Sequence, residues 1–321
     1  MSTVVLSGAA DPLGQRVAAA IGRVVSVERI VALDRDELLG PDLKSRIEGV
    51  DAVVHLDGGL EETRALLDAA GAVGATHVVL LSSATVYGAW PNNPVPLTED
   101  APLRPNNELD FAVRAAERER LASEWRREHP GTAVALLRPT VSVSADANGW
   151  LARALRETSA VRAAGPDDPP GQFVHLDDVA SAIALALAQR LDGPFNVSPD
   201  GWIAGDALRA LAAVPPLRLP ARVVQRLAWL RARLDPTSAS PGLLPYTTHA
   251  WVVANDRIKA AGWRPTHSNE EAYIAAHPPA PWSTVSPQRR QELALGGLAA
   301  LVVGVVVGVV LLVRRGSSRR G

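Results

Sequence analysis

The chain has 321 residues, enough for one large domain or two small ones around a sizeable core. It is 47% hydrophobic and 21% charged, as folded globular chains are, and its formal net charge of -1 gives no global attraction to nucleic acid. It has no cysteine, which excludes disulfides, thiolate catalysis and cysteine-ligated metals, and no metal site is expected. Lys44 and Lys259 are its lysines, so lysine-dependent chemistry has two candidates.

MSTVVLSGAA has no basic n-region and runs at once into a strand and a loop, so no signal peptide is expected. The strand, residues 3–7, leads through SGAADPLGQRV into a helical pattern over 12–25. A dinucleotide loop needs glycines for a tight turn, for close backbone approach to a pyrophosphate and for helix packing. Gly8 and Gly14 supply the outer two, but Asp11 stands in the middle. A carboxylate ~5 Å from a phosphate costs about 3 kcal/mol per unit charge at an effective dielectric near 20, or about a hundredfold in affinity. Asp11 also reads as a helix N-cap with Pro12 as first helical residue, its carboxylate filling the helix N-terminus.

A second strand, 29–34, ends at Asp34, 20 residues beyond Gly14, where an acid can bind adenosine ribose hydroxyls; Arg35 beside it can meet a 2′-phosphate instead. Strands follow at 51–56, 77–83, 133–139, 173–176 and 194–197, with helices at 40–48, 60–73, 107–129 and 177–189 between them. Strands that are apolar throughout, alternating with helices, predict a doubly wound parallel α/β sheet with its ligand crevice at the strand carboxyl ends.

Beyond residue 200 the pattern weakens. ARVVQRLAWLRARL, 221–234, is an amphipathic helix with Arg222, Arg226 and Arg233 on its basic face, suited to a substrate lobe or to anionic lipid. A proline- and serine-rich linker, 277–292, precedes LALGGLAALVVGVVVGVVLLV, 293–313, which carries no charge. At 1.5 Å per residue that stretch spans roughly 30 Å and reads as one transmembrane helix. Gly296, Ala300, Gly304 and Gly308 recur on one face, a pattern that lets a second copy or another membrane protein approach closely. A basic tail, 314–321, closes the chain. The positive-inside rule favours a cytoplasmic tail, while a large domain without an export signal favours a cytoplasmic domain; the second is the expectation adopted.

LSSATVYG, 81–88, taken with SGAADPLG, DAVVHLDGG, ALLRPT, GQFVHLDDVASAIALAL, GPFNVS and AAGWRPTHSNEEAY in that order, resembles the extended short-chain dehydrogenase/reductases, the NAD-dependent epimerase/dehydratase family. The resemblance covers residues 3 to 275. It implies a Rossmann core over about 1–150 and 173–198, with a smaller C-terminal substrate lobe over about 150–172 and 199–276. It also implies NAD or NADP as cofactor. The candidate cofactor-binding positions are Gly8, Asp11, Leu13, Gly14, Asp34, Arg35, His55, Leu56 and Arg138. Arg138 also looks like a support of the crevice, and His55 and His175 like core histidines.

Family chemistry, by resemblance, uses a serine with a tyrosine and lysine spaced Y-x-x-x-K. Ser83 matches the serine. Aligning ERL, 119–121, on the following helix puts Phe111 at the tyrosine and Ala115 at the lysine. Pro91, Ala250 and His277 stand four residues after Tyr87, Tyr246 and Tyr273, so no Y-x-x-x-K exists in the chain. Phenylalanine has no proton to exchange. Asp57 adds a second acid where the family commonly has a small residue. The expectation is a membrane-anchored pseudoenzyme that binds or scaffolds; the alternative is an oxidoreductase or epimerase with an altered site, acting on a sugar nucleotide or lipid-linked substrate.

Overall fold

Largely apolar runs of four to seven residues form the strands of the main sheet, and the helical patterns between them fold onto both of its faces. In chain order come β1 (Ser2–Ser7), α1 (Pro12–Val24), β2 (Val27–Leu33), α2 (Arg35–Leu38), α3 (Leu43–Arg46), β3 (Ala52–His55), α4 (Leu60–Ala72) and β4 (His77–Leu81). Next are α5 (Asp110–Glu128), β5 (Ala133–Pro139), β6 (Val141–Val143), α6 (Trp150–Ser159), β7 (Val161–Ala163), β8 (Phe173–His175), α7 (Leu176–Gln189) and β9 (Gly193–Val197). Then follow α8 (Gly205–Ala212), β10 (Leu217–Leu219), α9 (Asp256–Ala260) and α10 (Asn269–Ala276).

This computed structural model describes residues 2–24, 27–147, 149–159, 161–163, 168–212, 217–219, 222–223, 226, 229–230 and 240–277. The expected linker, transmembrane helix and basic tail lie outside the described residues, as does most of the 221–234 helix. Among the described residues no helix is long and apolar enough to cross a membrane.

Six strands pair in parallel in the order β2-β1-β3-β4-β5-β9. The order reverses between β1 and β3, which opens a crevice at their carboxyl ends. Strand alternation divides the core in two. Val4, Leu6, Val54, Val79 and Leu137 pack with Val17 and Ile21 of α1 and Val179 and Ile183 of α7. Val5, Val53, Val78, Leu80 and Leu136 pack with Leu66 and Ala70 of α4 and Leu121 and Trp125 of α5. Both faces are therefore covered, as a parallel sheet requires. A third cluster joins Tyr87, Ala112, Ala115, Val143, Leu151, Phe173, Tyr246 and Tyr273. Met1–His277 form one compact unit.

Local chemistry moves some boundaries. One helix is expected over 40–48; the chain makes two single turns, α2 and α3, on either side of Gly40 and Pro41. Strand β4 stops at Leu81 instead of Ser83. The Ser83 hydroxyl accepts the Thr85 N–H and starts a 3-10 turn over Ala84–Tyr87. Helix α7 is capped by His175, whose ring accepts the Asp177 N–H at 3.2 Å, and not by the two aspartates that follow.

Candidate ligand crevice

The loop after β1 keeps its two outer glycines for different reasons. Gly8 has φ +78°, the left-handed region that glycine adopts freely. Gly14 faces the loop so closely that a Cβ there would lie 2.1 Å from the Gly8 carbonyl oxygen. Asp11 directly precedes α1, its carbonyl accepting the Gln15 N–H at 3.0 Å, and its side chain is exposed. Leu13, one residue into the helix, leans on the core below. A Cβ on Gly8 would stand 3.4 Å from Leu56 Cβ and 3.9 Å from both Asp11 Oδ2 and the Asp57 backbone nitrogen. Both acids thus border the glycine turn. The exposure of Asp11 moves its effective dielectric toward that of water, so its penalty on a phosphate lies between about 1 and 3 kcal/mol.

Asp34 stands between β2 and α2, its N–H donating to Glu37 Oε2 at 2.7 Å while its side chain stays exposed. Arg35 reaches across to α4, donating from Nε to Glu62 Oε1 at 2.7 Å. Glu62 also accepts the Gly59 N–H, and its carboxyl is held below the usual carboxylate range by backbone hydrogen bonding first and by Arg35 second. His55 is buried, its Nδ1 2.6 Å from Ser7 Oγ and its Nε2 3.0 Å from Thr63 Oγ1. Burial, reinforced by Arg118, pushes the imidazole down to about 3, so it is neutral and ties β1 to α4.

Residues 111, 115 and 118 share one face of α5 by helical spacing. Phe111 packs edge-on against Trp150, ring centroids 5.0 Å apart. Ala115 is 1% exposed in the apolar cluster. Ser83 Oγ accepts from both Thr85 N and Thr85 Oγ1, a capping role. The nearby tyrosines are engaged as well. Tyr246 donates to the Thr85 carbonyl at 2.8 Å, and burial raises its hydroxyl. Tyr87 donates to Asn196 Oδ1 at 2.7 Å, and burial pushes it up to about 12.

Arg138 turns inward. Its guanidinium grips Glu119 at 2.6 to 3.0 Å, donates to Tyr87 at 2.7 Å and reaches the Glu99 carbonyl at 3.3 Å. The pair is almost fully buried, at 5% and 1% side-chain exposure. Arg138 is thus a brace joining β5, α5 and the 3-10 turn. Asp178, also buried, accepts Thr266 and His267 N–H groups and His267 Nδ1, while Asp177 pairs with Arg16 at 2.8 Å. His175 stacks on His267 with centroids 4.0 Å apart. Among the described residues no group of three acidic or histidine side chains could hold a metal.

Sequence reasoning missed Arg118. It lies within ERER, 117–120, which reads as a solvated charge run, yet it is only 7% exposed. Its spacing of seven from Phe111 puts it on the crevice face and was the available signal. Nη2 donates to the Leu81 carbonyl at 3.4 Å, at the carboxyl end of β4. Burial pushes its guanidinium down, opposed by the charges of Asp57 and Glu119.

Residues 44–198 match the NAD dependent epimerase/dehydratase family. The chain is 25% identical to "Uncharacterized protein Rv0501" of Mycobacterium tuberculosis, over 84% of this chain and 82% of that one. MoeE5, solved with UDP-glucuronic acid and NAD, superposes with a TM-score of 0.63 at 18% identity, covering 86% of this chain and 97% of its own. The UDP-glucose 4-epimerase of Thermus thermophilus, in complex with NAD, gives 0.59 at 19% identity, covering 85% and 97%. Residues 44–198 are thus similar to that family, and most of the chain shares the Rossmann-type fold of those solved structures.

Proposed function

We propose that this chain is a divergent, membrane-anchored protein of the extended dehydrogenase/reductase type that binds a ligand in its crevice without the usual acid–base chemistry. The observation that carries this reading is the α5 face, where the apolar pair Phe111 and Ala115 replaces a proton donor and the cation that tunes it. The capping role of Ser83 and the engaged hydroxyls of Tyr87 and Tyr246 support it, since no described tyrosine stands free to substitute. Residues 293–313 supply the anchor, with the folded domain on the cytoplasmic side and the small-residue face at Gly296, Ala300, Gly304 and Gly308 holding a second copy or a membrane partner.

Titration of the full chain in detergent micelles with NADH and NADPH tests the crevice. Wild type is expected to bind weakly, and Asp11→Gly to bind more tightly by a few-fold to about a hundredfold. Equal affinity in the two proteins would remove Asp11 as an obstacle. Turnover of a sugar nucleotide would instead favour the alternative, an epimerase or oxidoreductase working through an altered site.

A further inference from the structure

Two arginines are buried at the carboxyl ends of β4 and β5, and they are partnered differently. Glu119 is committed to Arg138 and to the Ser82 hydroxyl. Arg118, adjacent in sequence and 7% exposed, has a single described hydrogen bond, from Nη2 to the Leu81 carbonyl. Its Nη1 is buried with no hydrogen-bond partner among the described residues. A buried guanidinium donor without an acceptor is destabilising, and an anionic oxygen placed on it offsets that cost. The side chain sits at the end of β4, where ligands of open α/β sheets bind. It interacts electrostatically with Asp57, whose backbone nitrogen borders the Gly8 turn. Asp57 thus borders the glycine turn and lies within electrostatic range of Arg118.

We infer that Arg118 is the anion-binding group of this crevice, and that Nη1 takes a phosphate oxygen of the bound ligand. The ligand class is a phosphorylated small molecule, with its phosphate held near β3 and β4 instead of on the Gly8–Gly14 loop, where Asp11 opposes it. Arg118 lies one helical turn beyond Ala115 and brings a permanent cation back to that face of α5. This rests on the reading of the crevice as a ligand site, but not on the absence of redox chemistry. Hydride transfer would overturn the latter and leave the Arg118 result standing.

The test is calorimetric titration of the full chain, in micelles, with inorganic pyrophosphate. Wild type is expected to bind saturably, Arg118→Gln to lose about tenfold or more in affinity, and Asp57→Asn to gain a few-fold through removal of a competing charge. No binding by wild type, or equal binding by a folded Arg118→Gln variant, overturns the inference. If Arg118→Gln does not fold, Asp57→Asn decides: unchanged affinity in that exposed variant contradicts an anion seated beside Asp57.

Discussion

Phe111 meets Trp150 edge-on, 5.0 Å between ring centroids, and packs against the same apolar cluster that holds Ala115, one helical turn further along α5. This apolar corner occupies the place where the family resemblance expects a hydroxyl and an ammonium. Ala115→Lys should therefore destabilise the protein, because a long cationic side chain must enter a filled apolar cluster. The expected loss is about 2 kcal/mol or more, read as a lowered midpoint in urea. Phe111→Tyr, at a half-buried ring, should cost less than about 1 kcal/mol. A fully stable Ala115→Lys chain would mean that this corner opens to solvent.

The Arg138–Glu119 pair predicts a sharp asymmetry. Glu119→Leu leaves Arg138 charged and buried without its partner, which typically costs about 3–5 kcal/mol. The double variant Glu119→Leu/Arg138→Met removes both charges and should recover much of that loss. Thermal unfolding of the two variants side by side checks it. A double variant no better than the single one would show that the pair contributes net stability.

Gly14→Ala must push α1 away from the loop, since the new Cβ would lie 2.1 Å from the Gly8 carbonyl oxygen. Gly8→Ala meets mainly the left-handed backbone penalty, about 1–2 kcal/mol. Gly14→Ala is therefore expected to be the more damaging of the two in stability, and should also weaken any ligand held by the loop. The reverse ranking in chemical denaturation would refute the close approach.

His55 predicts an acid-sensitive fold. In the folded chain its imidazole is pushed down to about 3 by burial, with Arg118 adding and Glu62 opposing; the ordinary value is 6.5. Between these pH values the unfolded chain takes up a proton that the folded chain refuses. Stability from this group is complete above about 6.5 and falls as pH drops toward 3. The wild type should lose on the order of a few kcal/mol more across that window than His55→Gln does. Identical pH profiles for the two proteins would show that His55 titrates normally.

The central sheet was legible because its inner strands are buried on both faces and read as largely apolar runs, VVL, AVVH and HVVLL among them. Asp11, Phe111 and Ala115 are picked out by their spacing from the flanking motifs, which the resemblance supplies. Single turns such as α2 and α3 were not, since four residues carry too little periodicity. Arg138 illustrates a different limit. Sequence marks it as belonging to the crevice region, but only the placement of Glu119 shows that it faces inward. Arg118 is the inverse case, a charge hidden in a polar run whose burial depends on tertiary packing against β4.

The proposed function requires that the crevice lack the proton-transfer pair that the family resemblance implies. The most direct measurement incubates the full chain with deuterium-labelled NADH and a panel of oxidised sugar nucleotides, and follows label transfer by mass spectrometry. No transfer above the rate without protein is expected, in wild type and in Asp11→Gly alike. Catalysed transfer of deuterium to any of the acceptors would contradict it.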